Sequence, residues 1–234
     1  HGIESLDPDM RSEPLAYYSR RGPAGQVFEA LGDRIERAGF IGLGAGSLAA
    51  YGRAGQQLDL FEIDPTVVRI ARNPAWFSFV PESKAELRFI LGDGRLTLSR
   101  EPDGVYDLLV LDAFSSDAIP LHLLTQEAFT MYTDKLAPEG VLLVHLSNRH
   151  LDLGPFVAAA LDELGMTALE RTDTIAFEQT EETDRFASRW LVASRDRGLL
   201  KPLLQDVRWT LPTRAERPWT DTHADLVAAL RRGP

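Results

Sequence analysis

Glycines at alternate positions, Gly42, Gly44 and Gly46, set between an apolar run and a helical stretch, constrain this chain more than any other feature. The segment Phe40 to Asp64, FIGLGAGSLAAYGRAGQQLDLFEID, reads as a buried strand at Phe40-Ile41, a glycine turn, a short helix from Ser47 to Arg53, and a second strand from Leu58 to Ile63 that runs into two acids, Glu62 and Asp64. Lacking Cβ atoms, the glycines let the backbone turn sharply and approach a ligand closely. Glu62 follows Gly42 by twenty positions and sits at the end of the next strand, where a carboxylate accepts hydrogen bonds from both hydroxyls of a ribose. A glycine turn alone often does no more than pack a helix on a strand; the acid at this spacing moves the reading to a nucleoside site. The G-x-G-x-G spacing fits S-adenosylmethionine-type pockets better than the dinucleotide pattern G-x-G-x-x-G, whose third small residue would fall at Ser47.

The rest of the chain supplies the sheet such a site needs. His1 to Gly25 carries no long amphipathic period but many turn formers, and reads as an extended arm or lid ahead of a domain over residues 26–234. Apolar positions place a helix over Gln26 to Arg37, and Pro65 opens another that breaks near Asn73-Pro74. Leu87 to Leu91 forms a strand followed by Gly92-Asp93-Gly94. The most continuous apolar strand is Tyr106 to Leu111, as expected of a central parallel strand covered on both faces. Thr125 caps a helix through Leu136, Val141 to Leu146 is a strand, Pro155 to Leu164 a helix, Met166 to Leu169 and Arg189 to Ala193 strands, and Thr222 to Arg231 a terminal helix. This alternation specifies an α/β, Rossmann-like doubly wound, mostly parallel sheet of the class I methyltransferase type.

The formal net charge of -10 repels a phosphate backbone, and no basic run is longer than Ser19-Arg20-Arg21 or Leu230-Arg231-Arg232, so nucleic acid is not an expected partner. A small cation is favoured. The absence of cysteine excludes disulfides, thiolate metal sites and cysteine nucleophiles. His1, His122, His145, His150 and His223 are scattered without metal-ligand spacing and read as surface or packing histidines; no metal is expected. No apolar run approaches the ~20 residues of a membrane span, and a start at His1 without an initiator methionine points to an excised domain.

Asp112 and Asp117 lie on the loop leaving the central strand, beside the switch point where such sheets bind ligands. An alkyl ammonium is no nucleophile until it loses its proton, so a carboxylate that holds it and takes that proton makes attack possible. Asp112 is the candidate base and Asp117 the candidate second anchor; the plainer reading of Asp117 is a turn cap with Ser115 and Ser116. Asp93 between two glycines at a strand end turns the chain tightly where a purine would lie.

Four motifs together carry a resemblance. D-x-x-x-x-D-A-I-P at Asp112 to Pro120, LAPEGVLLVHL at Leu136 to Leu146, FEID at Phe61 to Asp64 and GDGR at Gly92 to Arg95 resemble the spermidine synthase (polyamine aminopropyltransferase) family. HGIESLDPDMRSEPLAYYSRRGPAG and LDAFSSDAIPLHLLT are similar to its subgroup fused to membrane-spanning, transporter-like segments. The resemblance implies that Glu62 holds the ribose with Ile63 and the glycine turn around the nucleoside, that Asp93 and Gly94 meet the adenine, that Asp112 prepares the attacking amine and that Asp117 helps hold it. Tyr17 and Tyr18 match the family's Tyr-His pair near the aminopropyl group, with Tyr18 in place of His. The implied co-substrate is S-adenosylmethionine or its decarboxylated form, and the implied product methylthioadenosine.

Departures widen the choice. Ala45 stands where the family places an acid that binds the cofactor's free amine, so ordinary S-adenosylmethionine is as well accommodated as the decarboxylated form. The family's early glutamine appears as Glu4 or Ser5, and its Tyr-Pro-x-Gly run before a late tryptophan is Phe186-Ala187-Ser188-Arg189 before Trp190. Tyr17, Tyr18, Phe114 and Trp190 offer ring faces to a sulfonium. The alternatives are a methyltransferase, an enzyme in which the cofactor's own amine or carboxylate attacks internally without an acceptor, and a non-catalytic nucleoside-sensing domain. Expected partners are a small-molecule amine or no second substrate, a second copy of the chain, and a fused or associated membrane segment; the expected location is the cytoplasm, free or as the cytoplasmic part of a membrane protein.

Overall fold

The computed structural model describes residues 2–114, 119–148, 150–175 and 185–230. Its strands are β1 (Arg37–Ile41), β2 (Gln57–Glu62), β3 (Glu86–Leu91), β4 (Tyr106–Leu111), β5 (Leu136–His145), β6 (Thr167–Asp173) and β7 (Ser188–Ser194), joined in one sheet of order β3-β2-β1-β4-β5-β7-β6. Strands β1 to β5 pair in parallel, and β7 inserts antiparallel between β5 and β6. The order reverses between β1 and β4, which is where an open α/β sheet forms its ligand crevice.

Helices α1 (Pro23–Leu31), α2 (Pro65–Ala71), α3 (Gly94–Leu98), α4 (Gln126–Lys135), α5 (Gly154–Glu163), α6 (Arg197–Leu204) and α7 (Leu226–Ala229) cover the faces and edges. Each start has a local cause. Pro23 and Pro65 occupy first turns, and the side chains of Asp64, Asp93 and Thr125 accept from the backbone N–H groups of Thr66, Leu96 and Ala128. Leu108, Leu109, Val110 and Leu111 of β4 are fully buried, as its continuous apolar run requires, each worth about 1.5–3 kcal/mol of transfer free energy.

Three expectations about helices are corrected. The helix expected over Gln26 to Arg37 is α1, which ends at Leu31 because Gly32 adopts φ 52° and caps it; Arg37 already belongs to β1. The helix expected from Ser47 to Arg53 is a 3-10 turn, Ser47–Tyr51. The terminal helix expected over Thr222 to Arg231 shrinks to the single turn of α7, begun by the Asp225 cap. The strand expected at Met166 to Leu169 runs on to Asp173, because pairing with β7 supplies its hydrogen bonds.

The edge of the sheet at the amino ends of β1 and β2 is closed by polar contacts. Asp59, wholly buried, accepts from Arg37, Arg88, Gln57 and the Tyr106 hydroxyl, and Glu101 shares both arginines. Burial pushes the Asp59 carboxyl up, but the bonds from Arg88, Gln57, Arg37 and Tyr106 outweigh it and hold the group at about 2. Among the described residues no helix is long and apolar enough to cross a membrane.

Candidate active site

The carboxyl ends of the strands carry the site, and sheet order sets its sequence in space: Asp93 after β3, Glu62 on β2, Gly42 after β1, Asp112 after β4, His145 on β5, then the start of β7 and the end of β6. At the switch point, Gly42 donates its N–H to the Phe61 carbonyl at 2.9 Å, and Asp112 donates to the Ile41 carbonyl at 2.9 Å. Gly42 has φ 98°, and a Cβ there would lie 2.4 Å from the Asp112 carbonyl oxygen. The first glycine is therefore required by the approach of two backbones. Gly44 and Gly46 also hold positive φ, 54° and 83°.

Glu62 is fixed from both sides: one carboxylate oxygen accepts from Leu43 N–H at 3.1 Å, the other from Asp64 N–H at 2.9 Å. Each oxygen keeps a lone pair for a hydroxyl. Beside it Ile63 is 68% exposed, an apolar face open to a ligand. Asp93 caps α3 through Leu96 N–H at 2.9 Å and pairs with His122 Nε2 at 2.9 Å. Partial burial pushes its carboxyl up, but the Leu96 amide and His122 hold it below the usual range. Gly94 packs on Ile41, where a Cβ would come within 2.5 Å of the Ile41 Cγ2. Ala45 lies beneath the arm: a Cβ on Gly2 would be 2.6 Å from Ala45 Cβ and 3.0 Å from Ser47 Oγ, so the arm backbone occupies the space a longer residue at 45 would need. The arm is held there by Glu4, which accepts from Arg11 and from Ser78 N–H. The Ser47 hydroxyl is buried and unpartnered among the described residues, leaving a polar group at this end.

Asp112 sits in an aromatic nest. Its Oδ1 lies 2.7 Å from His145 Nδ1, with the two side chains 7% and 3% exposed, and the Tyr18 phenol is close enough to feel the charge of the same carboxylate. Burial pushes the Tyr18 phenol well up, and the Asp112 charge adds to the shift, so Tyr18 stays protonated and acts as a donor. Ala16 in the left-handed region, φ 56°, turns the arm just before Tyr17 and Tyr18, whose rings lie 5.3 and 6.3 Å from the His145 ring. Strain of this kind, about 1–3 kcal/mol, persists only where surrounding packing imposes it. Trp190 is fully buried with its face stacked on His145 at 4.1 Å, so it is not available to a sulfonium.

A large cavity opens on the β5-β7-β6 side of Asp112, lined by Tyr17, Tyr18, Phe114, His145, Ser147 and Phe186 and continuing to Asp173, Arg189 and Trp219. Glu62, Ile63 and Asp93 do not line it; they occupy the β3-β2-β1 side of the same edge. Acids outnumber arginines on its wall; of these, Glu170 and Asp152 bind Arg189, and Asp173 binds Arg171 and Arg185.

Of the sequence-derived site residues, Gly42, Gly44, Gly46, Glu62, Ile63, Asp93, Gly94, Asp112, Tyr17 and Tyr18 all lie along this one edge, whereas Asp117 falls outside the described residues. His122 is exposed and His145 is buried against Trp190, a surface and a packing position; unforeseen is that each also bonds a site carboxylate, His145 to Asp112 and His122 to Asp93. The available signal was His145 and Ser147, two apart at the carboxyl end of a strand. Also unforeseen is the tie between two motifs, in which Arg95 grips Asp221 through paired bonds of 2.7 Å and so fastens the C-terminal segment over α3 and α4. That contact holds the Asp221 carboxyl at about 2, through Arg95 first and Thr125 second. Among the described residues no group of three or more His, Cys, Asp or Glu is placed to hold a metal ion.

No family model matches the chain. In sequence it is similar to the polyamine aminopropyltransferase of Vibrio vulnificus, 34% identical over 135 residues covering 55% of this chain, and to the eEF1A lysine and N-terminal methyltransferase of Xenopus laevis, 27% identical over 185 residues covering 70%. The chain spans 42% of the first relative's length and 26% of the second's. In structure it is similar to a spermidine synthase in complex with the transition-state analogue AdoDATO, with TM-score 0.57 at 14% identity over 88% of this chain and 70% of that one. A probable spermidine synthase from Corynebacterium glutamicum gives 0.56 at 18% identity over 81% and 74%, and human methyltransferase-like protein 13 in complex with SAH gives 0.53 at 21% over 86% and 93%. The fold is thus the Rossmann-like one shared by spermidine synthases and class I methyltransferases.

Proposed function

We propose that this chain, which resembles the spermidine synthase family in sequence and in fold, is a transferase in which an amine attacks the carbon next to the sulfonium of S-adenosylmethionine or its decarboxylated form, with release of methylthioadenosine. The observation that carries the reading is the placement of Glu62 and Asp112 on the strands either side of β1, with the glycine turn between them and a cavity beyond Asp112. From Asp93 to Asp112 is three strand spacings, roughly 14 Å at about 4.8 Å each, the length of an adenosine with a short tail. The same count from Asp112 to β6 leaves comparable room for an acceptor.

The residues present suit the nucleoside. Glu62 offers lone pairs to the ribose, Ile63 an apolar face to the purine, and Asp93 an acceptor for its exocyclic amine. When bound, the sulfonium supplies an activated carbon and a neutral thioether leaving group. Asp112 attracts the ammonium and serves the removal of its proton, while Tyr17 and Phe114 shield the reacting centre from water. Holding nucleophile and carbon together supplies most of the acceleration, since the encounter entropy is spent on binding. Asp117, five residues further along the sequence, is proposed as the amine's second anchor.

Methyl transfer is the second reading, supported by the Xenopus relative and by Ala45, which presents no acid to a carboxylate tail. Incubation with S-adenosylmethionine and with its decarboxylated form, each with and without a diamine, distinguishes the outcomes by product. Methylthioadenosine only with amine supports the proposal, methylthioadenosine without amine indicates internal attack, adenosylhomocysteine indicates methyl transfer, and tight binding with no product indicates a sensor.

A further inference from the structure

His145 differs from an ordinary core histidine in that both ring nitrogens are committed to groups of the site. Nδ1 meets Asp112 Oδ1 at 2.7 Å and Nε2 meets Ser147 Oγ at 2.8 Å, while the ring is pinned on Trp190 with the planes 3° apart. An ionised carboxylate only accepts, so Nδ1 carries the hydrogen; Nε2 then accepts from the Ser147 hydroxyl, whose oxygen accepts in turn from Arg189 N–H at 3.0 Å. Every polar group in this arrangement has a partner. A proton can be added at Nε2 if the Ser147 hydroxyl merely rotates to make its oxygen the acceptor, and no ring has to move. Ser147 lines the cavity on the acceptor side.

We infer that the base of the proposed reaction is the chain Asp112, His145 and Ser147, in which Asp112 keeps its negative charge, His145 takes up the amine's proton and Ser147 passes it. This rests on the transfer reaction proposed above. The amine lone pair forms the new N–C bond as the C–S bond breaks, and that bond's electron pair stays on sulfur as the neutral thioether. The surplus proton on nitrogen moves to the Ser147 oxygen as the serine's own proton moves to Nε2. The imidazolium so formed is held by Asp112 until the proton returns through Ser147 to the cavity. The order of hydrogen bonds is that of a Ser-His-Asp triad, in which the acid orients the ring and stabilises its charged form. Among the described residues, the charged and titratable groups around this chain of bonds are Tyr17 and Tyr18 of the arm and Arg189 of β7, whose guanidinium is taken by Glu170 and Asp152.

His145→Gln keeps hydrogen-bonding capacity at this position but cannot carry the extra proton. In the intact protein we expect methylthioadenosine release to fall about a hundredfold or more, with nucleoside affinity unchanged by calorimetry and with a pH–rate profile that differs from that of wild type. Ser147→Ala should lower the rate while leaving nucleoside affinity unchanged. Independently of turnover, nitrogen-15 spectra should show a neutral His145 protonated at Nδ1, shifting towards the Nε2 form in Asp112→Asn. An Nε2-protonated ring in wild type, or a His145→Gln pH profile superimposable on wild type, overturns the inference while leaving the transfer reaction standing. Stoichiometric labelling of Ser147 by a fluorophosphonate overturns it in favour of acyl chemistry. A wild type that binds nucleoside but releases no methylthioadenosine with any amine refutes the reaction itself.

Discussion

Asp112→Asn separates the chemistry from the binding more cleanly than any other single change. Asn has the shape of Asp, so the backbone bond from Asp112 to Ile41 and the contact with Gly42 survive; what disappears is one negative charge 2.7 Å from His145, in a place where both side chains are almost dry. A charge-assisted hydrogen bond there is worth about 1.5–3 kcal/mol. The amide can also donate to Nδ1 and so invert the ring's tautomer, which in the analogous triad costs roughly 10⁴ in turnover. The combined expectation is a loss of roughly 10³–10⁴ in kcat, or about 4–5.5 kcal/mol in the barrier. Glu62, Leu43 and Asp93 touch none of these atoms, so nucleoside affinity should change less than about threefold, under about 0.7 kcal/mol. Stability should fall by about 1–2 kcal/mol, a Tm drop of roughly 2–8 °C for a chain of this size. Single-turnover release of methylthioadenosine, titration calorimetry with the same nucleoside and a thermal melt read the three quantities separately. A kcat within threefold of wild type, or a loss of affinity as large as the loss of rate, would refute the reasoning.

Glu62→Gln keeps the shape but not the charge of the group bonded to Leu43 and Asp64 N–H, and should weaken nucleoside binding about 10- to 100-fold, the size of a charge-assisted bond, without altering the pH profile of the bound enzyme. Gly42→Ala forces a Cβ to within 2.4 Å of the Asp112 carbonyl at φ 98°; beyond about 1–2 kcal/mol of left-handed strain it must displace the carboxylate, so activity should be lost even in preparations whose circular dichroism stays native. Asp59 is held at about 2 against an ordinary 3.8, so its stabilisation is complete above pH ~4 and lost as the pH falls towards 2. That amounts to roughly 2 kcal/mol; acid unfolding of Asp59→Asn should lack this component, and an identical acid limb in both proteins would disprove it. Arg95→Ala unfastens Asp221, and limited proteolysis should then cut near residues 218–225 faster than in wild type while the rest of the sheet stays resistant.

What the sequence determined on its own lies within short stretches of chain. The glycine turn and Glu62 are twenty residues apart and joined by one helical turn and one strand, so spacing alone conveys their relation; the unbroken apolar run of β4 identifies the centre of the sheet in the same way, because a strand covered on both faces has no polar side to show. A cap residue such as Thr125 acts on backbone three positions away and is equally legible. The helix ends misread at Arg37 and Arg53 show the limit of that reading: apolar periodicity ran on past Leu31, but Gly32 and the pairing of β1 with its neighbours ended the helix earlier.

Only the tertiary structure decided which groups surround Asp112. His145 is thirty-three residues away, in a motif that carried no role for it, yet β4 and β5 pair with Leu111 opposite Val144, so the next residue on each strand, Asp112 and His145, must meet at the edge. The antiparallel register of β5 with β7 sets His145 opposite Trp190 in the same way, which is why the two rings stack. Side-chain partners across a sheet are chosen by strand order and register, and these are settled by burial summed over whole faces of the domain, not by any window of neighbouring residues.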